Sequence, residues 1–135
     1  MLQNPAGLNG LTEKIIGGAI SVHRVYGPGL LESIYQGCFV VELRKAGLIV
    51  ETEKKVPLIY RGVTVGDGFK IDCIVDDKIV VEVKAVESLA PLHTAQLITY
   101  LKLTGCPVGL LINFNVPLLK SGIRRVLHPE YHESA

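Results

Sequence analysis

The sequence predicts an α/β domain in three layers, α/β/α, with helices on both faces of a central sheet. Three observations predict it. Apolar residues recur at helical spacing up to Ala46, and from Ile49 the pattern changes to β-formers at strand spacing. The run Val108-Gly109-Leu110-Leu111-Ile112 is apolar on both sides of a strand, so both faces of its sheet need cover. The element order of two helices, a meander of strands, a helix, a strand and a last helix supplies that cover. With 135 residues, 48% of them hydrophobic, the chain suffices for one substantial core and is short for two.

Residues 1–10 carry Gly7 and Gly10 around Asn4, Pro5 and Asn9 and read as an N-terminal arm, with the domain expected over 11–127 and a polar tail over 128–135. Leu11, Ile15, Ile16, Ala19, Ile20 and Val22 predict a first helix from about Thr12 to Tyr26, stopped by Gly27-Pro28-Gly29. A second helix is expected from Leu30 to Ala46, with an apolar stripe of Leu31, Ile34, Cys38, Val41 and Leu43 and Gly47 at its end. Val50, Thr52, Val56, Leu58 and Tyr60 then predict a strand. Arg61-Gly62 turns it into a short strand Val63-Thr64-Val65, and Gly66-Asp67-Gly68 reads as another turn. Two further strands, Phe69 to Val75 and Ile79 to Ala85, are joined at Asp76-Asp77-Lys78. A helix fits Pro91 to Thr104, with Pro91 in its first turn and Gly105 at its end, and Val108 to Asn113 is a buried strand. The last element, Pro117 to Leu127, is expected to be a short helix carrying Lys120, Arg124 and Arg125.

Lys and Arg exceed Asp and Glu by one, so no global positive field draws the chain to nucleic acid, and such contact must come from a local patch. Lys120, Arg124 and Arg125 are the basic cluster on a predicted helix, read as a solvated face with a phosphate-contacting face as the alternative. The cysteines Cys38, Cys73 and Cys106 are odd in number and set in apolar surroundings, which points to buried thiols and a cytoplasmic location. No signal-peptide pattern and no apolar run of bilayer length is present, so no membrane association is expected. A mean hydropathy of +0.36 is high for a small chain and suggests that a second copy covers part of the apolar surface as a homodimer.

The chemistry concentrates where the strands around Asp76-Asp77-Lys78 pair. A three-residue loop sets Val75 opposite Ile79, Cys73 opposite Val81 and Ile71 opposite Val83, giving one wholly apolar face. The other face then carries Asp72 opposite Glu82, with Lys84 two residues further on. A two-residue loop would mix charged and apolar positions on both faces, so the pattern selects the longer turn. Two opposed carboxylates in apolar strands repel unless a cation lies between them or one is protonated. Hard oxygen ligands suit Mg²⁺, with Mn²⁺ as substitute, and Lys84 has the reach to hold a water or to offset charge on a phosphate. A structural ion network of Asp72, Glu82 and Lys84 is the alternative.

Asp72 followed by Glu82-Val83-Lys84 resembles the signature of the PD-(D/E)XK nuclease superfamily, with Ile71 in place of the pattern's proline. Gly29-Leu30-Leu31-Glu32-Ser33-Ile34-Tyr35 is similar to the motif that names the GxxExxY protein family. That family's other landmarks follow in order: Val81-Glu82-Val83-Lys84-Ala85, Ala95-Gln96-Leu97-Ile98-Thr99-Tyr100-Leu101 and Gly109-Leu110-Leu111-Ile112-Asn113-Phe114. The resemblance covers about residues 11 to 127. It implies a restriction-endonuclease-like core with a mixed central sheet and a nuclease acting on DNA or RNA. It assigns Asp72 and Glu82 to the metal with the Val83 carbonyl as a further ligand, Glu32 to completing the metal shell, and Lys84 to assisting the attacking water. Gln96 would orient the substrate or the site, and Tyr100, four residues on, would contact the same phosphate. Tyr35 would back the site by a hydrogen bond and lie on the substrate side.

Two other readings stand beside this one. The nuclease-like fold can serve as a catalytically silent binding or assembly module, or the site can hydrolyse a smaller phosphoester. Gly27-Pro28-Gly29 lacks the length and lysine of a phosphate-binding loop and is read as a helix-breaking corner. His23 and His93 are read as packing or surface residues.

Overall fold

The structure, a computed structural model, describes residues 7–131. It begins with α1, Leu8–Tyr26, which buries Leu8, Leu11, Ile15, Ala19 and Val22 at helical spacing. The helix starts four residues ahead of the expected Thr12, so residues 8–10 of the expected arm are helical, while 1–6 lie outside the described residues. Gly10 is a poor helix former, at a cost of about 1 kcal/mol. Burial of Leu8 and Leu11 outweighs it.

The second helix, α2, spans Glu32–Lys45 and corrects the expected stripe. Leu31, Ile34 and Val41 are 73%, 50% and 54% exposed, while Tyr35, Phe39, Val40 and Leu43 are buried. Two aromatic rings one turn apart bury more surface than the aliphatic residues flanking them, and they set which face turns inward. The Phe114 ring stacks on Tyr35 at 4.6 Å and meets Phe39 edge-on at 6.3 Å.

Five strands form one sheet in the order of the chain: β1 Val50–Tyr60, β2 Val63–Val75, β3 Ile79–Lys84, β4 Val108–Asn113 and β5 Ile123–Leu127. β3 and β4 are parallel, joined by α3, Pro91–Thr104, and the other neighbours are antiparallel, so the sheet is mixed. α1 and α2 cover one face over Cys73, Val75, Ile79, Val81 and Val83. α3 covers the other with Leu97 and Leu101 against Ile71, Ile74, Val80 and Leu111. This is the three-layer α/β/α arrangement.

Three further expectations are corrected. Gly66-Asp67-Gly68 is not a turn between strands; β2 runs through it, and the register slips between Val56↔Phe69 and Leu58↔Val65. The extra residues bulge out opposite Pro57, whose nitrogen has no hydrogen to give the ladder. Gly68 sits there at φ +81, with the Val56 carbonyl where a Cβ would be. The expected last helix is instead a 3-10 turn, Leu119–Gly122, followed by β5, which pairs Ile123, Val126 and Leu127 with β4. Without β5, β4 would be a buried strand with an open edge. Arg124 and Arg125 are therefore strand neighbours pointing to opposite faces, and the basic helix face they were expected to form with Lys120 does not exist. The expected polar tail is folded at its start: His128 donates its N–H to Pro107 O at 2.9 Å, and Tyr131 is buried. Residues 132–135 of that tail lie outside the described residues. Among the described residues no helix is long and apolar enough to cross a membrane.

Candidate active site

The turn at Asp76-Asp77-Lys78 holds three residues, and the pairs Val75↔Ile79, Ile74↔Val80 and Cys73↔Val81 follow from it as the apolar alternation predicts. There the ladder stops. The next backbone exchange, Ile71 with Val83, is replaced by side chains: Val83 N–H donates to Asp72 Oδ2 at 3.0 Å, and Asp72 N–H donates to Glu82 Oε2 at 2.9 Å. Each carboxylate thus bonds the backbone of the opposite strand.

The break is prepared in β1. Glu53 holds φ 52, and the register passes from Thr52↔Cys73 to Lys54↔Ile71 with no pair between Glu53 and Asp72. The register is the same on both sides of Glu53, so the strand is interrupted there by one left-handed residue without an insertion. Ile71 packs with Ile74 and Val80 on the α3 side rather than with Cys73 and Val83, and the expected Ile71–Val83 pairing is absent. Gln36, one turn after Glu32 on α2, reaches this break: its Nε2 donates to Asp72 O at 3.3 Å and Glu53 Oε1 at 3.4 Å. Sequence reasoning missed both Gln36 and Glu53. The four-residue spacing from Glu32 to Gln36 was the available signal.

Glu82 is 6% exposed, and its pKa is pushed up to about 8, first by burial and then by the charge of Asp72. Burial also raises Asp72, against the Val83 hydrogen bond and the Lys84 charge, while Glu32 and Glu53 raise it further. Among the described residues neither carboxylate is in an ion pair. Lys84 ends β3 half-buried, and its charge favours ionisation of both.

Glu32 is exposed at the first position of α2, near enough for its charge to act on Asp72 and Glu82. Among the described residues no three His, Cys, Asp or Glu are gathered closely enough to hold a metal ion. The donors that do gather are two carboxylates, each with one oxygen bonded to the backbone and one left over. The Val83 N–H leaves β3 toward Asp72, and its carbonyl leaves on the same edge. Such a set fits Mg²⁺, an ion usually held by one or two carboxylates with water in its remaining positions.

Tyr35 is fully buried, with its hydroxyl donating to Gly27 O at 2.5 Å and accepting from Leu30 N–H at 3.1 Å. A ring with no exposed surface has no substrate side, so the expected substrate contact is replaced by a clamp on the loop that launches α2 and Glu32. Phe114 joins that clamp to the site, because its ring stacks on Tyr35 and its N–H donates to Lys84 O at 2.9 Å. Asn113, paired with Lys84 across the parallel ladder and 2% exposed, fixes the chain beyond Lys84: Oδ1 accepts from Val86 N–H at 3.0 Å and Nδ2 donates to Val86 O at 2.9 Å. On α3, Gln96 is exposed, and Tyr100 is half-buried against Phe69 with ring centroids 5.7 Å apart. The Tyr100 hydroxyl is pushed up by burial, then by Glu82 and Asp72, which places it in the field of the two acids.

A family model described as the PD-(D/E)XK nuclease superfamily matches residues 9–126. No curated protein and no solved structure matches the chain.

Proposed function

From the premise that the chain belongs to the PD-(D/E)XK nuclease superfamily, we propose that it is a metal-dependent nuclease hydrolysing phosphodiester bonds of DNA or RNA. Gly29, Glu32 and Tyr35 support placing it in the GxxExxY family. The observation that carries the reading is the desolvated pair Asp72 and Glu82, crossed at the end of an interrupted ladder with Lys84 beside it. An acid pair of a buried Glu82 and a half-buried Asp72, with no ion-pair partner among the described residues, is costly to keep charged, and a divalent cation removes that cost.

Asp72, Glu82 and the Val83 carbonyl would hold Mg²⁺, or Mn²⁺ in its place, with Glu32 completing the shell directly or through water. When bound, the ion supplies Lewis acidity and a more acidic water. Lys84 holds the attacking water or offsets charge gathering on the phosphate. Gln96 orients the substrate from α3, and Tyr100 meets the same phosphate one turn later. Tyr35 acts by fixing Glu32. A cytoplasmic location goes with this reading, supported by the free thiols of Cys38, Cys73 and Cys106. The test is cleavage of single-stranded, double-stranded and branched DNA and RNA with Mg²⁺ or Mn²⁺. Activity lost on Lys84→Ala supports the proposal, and a full panel left uncut by the wild type under both metals overturns it.

A second reading, a catalytically silent assembly module, is favoured by the exposed Leu31 at the N-cap of α2 and Ile34 and Val41 on it, a surface suited to a homodimer. It predicts a dimer in sedimentation and no response of the melting temperature to Mn²⁺.

A further inference from the structure

The β1–β2 hairpin outgrows the layers that cover the rest of the sheet. Tyr60 pairs with Val63, and Leu58 with Val65, so these four side chains share one face of the hairpin. Tyr60, Val63 and Val65 are 56%, 63% and 47% exposed there. Following β1 back by twos from Tyr60 leads through Leu58 to Val56, whose partner is Phe69. Phe69 meets Tyr100 edge-on at 5.7 Å, and Tyr100 lies in the field of Asp72 and Glu82. Aromatic and apolar side chains therefore follow one another from Tyr100 to the hairpin tip, roughly 14 Å along the strand from Val56 to Tyr60.

Charge follows the same arm. Residues 54–70 contain Lys54, Lys55, Arg61 and Lys70 against one acid, Asp67, in a chain whose net charge is +1. Lys54 is paired with Glu51 at 3.2 Å, and the Arg61 guanidinium lies 5.6 Å over the Tyr60 ring. The basic helix face expected near the C-terminus is absent, while this arm carries an excess of basic residues.

The geometry points to the hairpin arm as the binding surface for a single-stranded segment of nucleic acid, with a base stacking on Tyr60 and phosphates meeting Arg61 and Lys54, which shares the face of Val56. Unpaired bases stack on exposed rings without regard to sequence, and cations beside the rings hold the backbone. Paired bases in a duplex hide their faces from such a strip. This inference rests on the nuclease reading, since it supplies the strand that reaches the acid pair.

The test is fluorescence anisotropy with labelled single-stranded DNA, single-stranded RNA and their duplexes, with Ca²⁺ in place of Mg²⁺. The wild type should bind the single strands more tightly than the duplexes. Tyr60→Ala should weaken that binding about tenfold. The double variant Lys54→Gln with Arg61→Gln should lower the slope of log affinity against log salt by about 1.4. Lys120→Gln, on the far 3-10 turn, should change nothing. All the altered residues are exposed, and melting temperatures verify that the variants stay folded. Unchanged affinity in both arm variants, with wild-type cleavage intact, overturns the arm and leaves the nuclease standing. Duplexes held as tightly as single strands overturn the stacking mode. Arm variants that break a wild-type dimer with oligonucleotide affinity intact show instead that a second copy occupies the strip. No binding and no cleavage of any oligonucleotide removes the nuclease reading and the arm with it.

Discussion

Asp72 and Glu82 are crossed: the Asp72 N–H donates to Glu82 Oε2 at 2.9 Å, and Asp72 Oδ2 accepts from Val83 N–H at 3.0 Å. The crossing brings both acids to the point where β2 and β3 part, and it makes their ionisation a term in the stability of the fold.

The pKa of Glu82 is pushed from 4.5 to about 8, so between those values the folded chain keeps a proton that the unfolded chain has lost. The stability this contributes is complete below the unfolded value and is lost as pH rises through about 8. In metal-free buffer the melting temperature of the wild type should fall over that window relative to Glu82→Gln, whose neutral amide does not titrate. A wild-type curve that rises relative to Glu82→Gln would contradict it.

Tyr35 offers a cleaner separation of hydroxyl from ring. Tyr35→Phe keeps the stack on Phe114 and removes the bonds to Gly27 O and Leu30 N–H, at a cost of about 1–2 kcal/mol. Phe114→Ala empties the stack itself and should cost about 3–5 kcal/mol. Urea unfolding checks both. Because the hydroxyl holds the loop before Glu32, Tyr35→Phe should also reduce cleavage by more than its stability loss explains.

Asn113→Ala leaves the N–H and C=O of Val86 without their amide partner, at a cost of about 1–3 kcal/mol. Asn113→Asp restores the acceptor alone, so in denaturant titrations it should recover only part of the loss. Equal stability of the wild type and the alanine variant would show that the clamp is idle.

Gly109 and Gly68 should respond differently to alanine. At Gly109 a new Cβ meets Leu97 side-chain carbons at 2.8 to 2.9 Å, and a flexible leucine can move, for about 1–3 kcal/mol. At Gly68 it meets the backbone of Val56 at a positive φ, and neither yields. Gly68→Ala should therefore lower the melting temperature more than Gly109→Ala.

Much of this molecule was legible in its residues. α3 and β4 run as expected because Pro91, Gly105 and the apolar run from Val108 are local signals. The three-residue loop and the pairs from Val75↔Ile79 to Cys73↔Val81 followed from apolar alternation, which admits one loop length. What escaped was set by tertiary context. The inward face of α2 depends on the volume of Tyr35 and Phe39 meeting Phe114 across the core. β5 is a strand because β4 needs a second neighbour, which no window around Arg124 reveals. The break at Asp72 lies against Glu53, held at φ 52, nineteen residues away along the chain and adjacent only in the sheet.

The central claim, that Asp72 and Glu82 form a site for a divalent cation, is tested most directly by calorimetric titration of Mn²⁺ into the purified protein. The account predicts saturable binding that tightens as pH rises toward about 8, persists in Lys84→Ala and disappears in Asp72→Asn. No heat of binding in the wild type, or the same heat in Asp72→Asn, would contradict it.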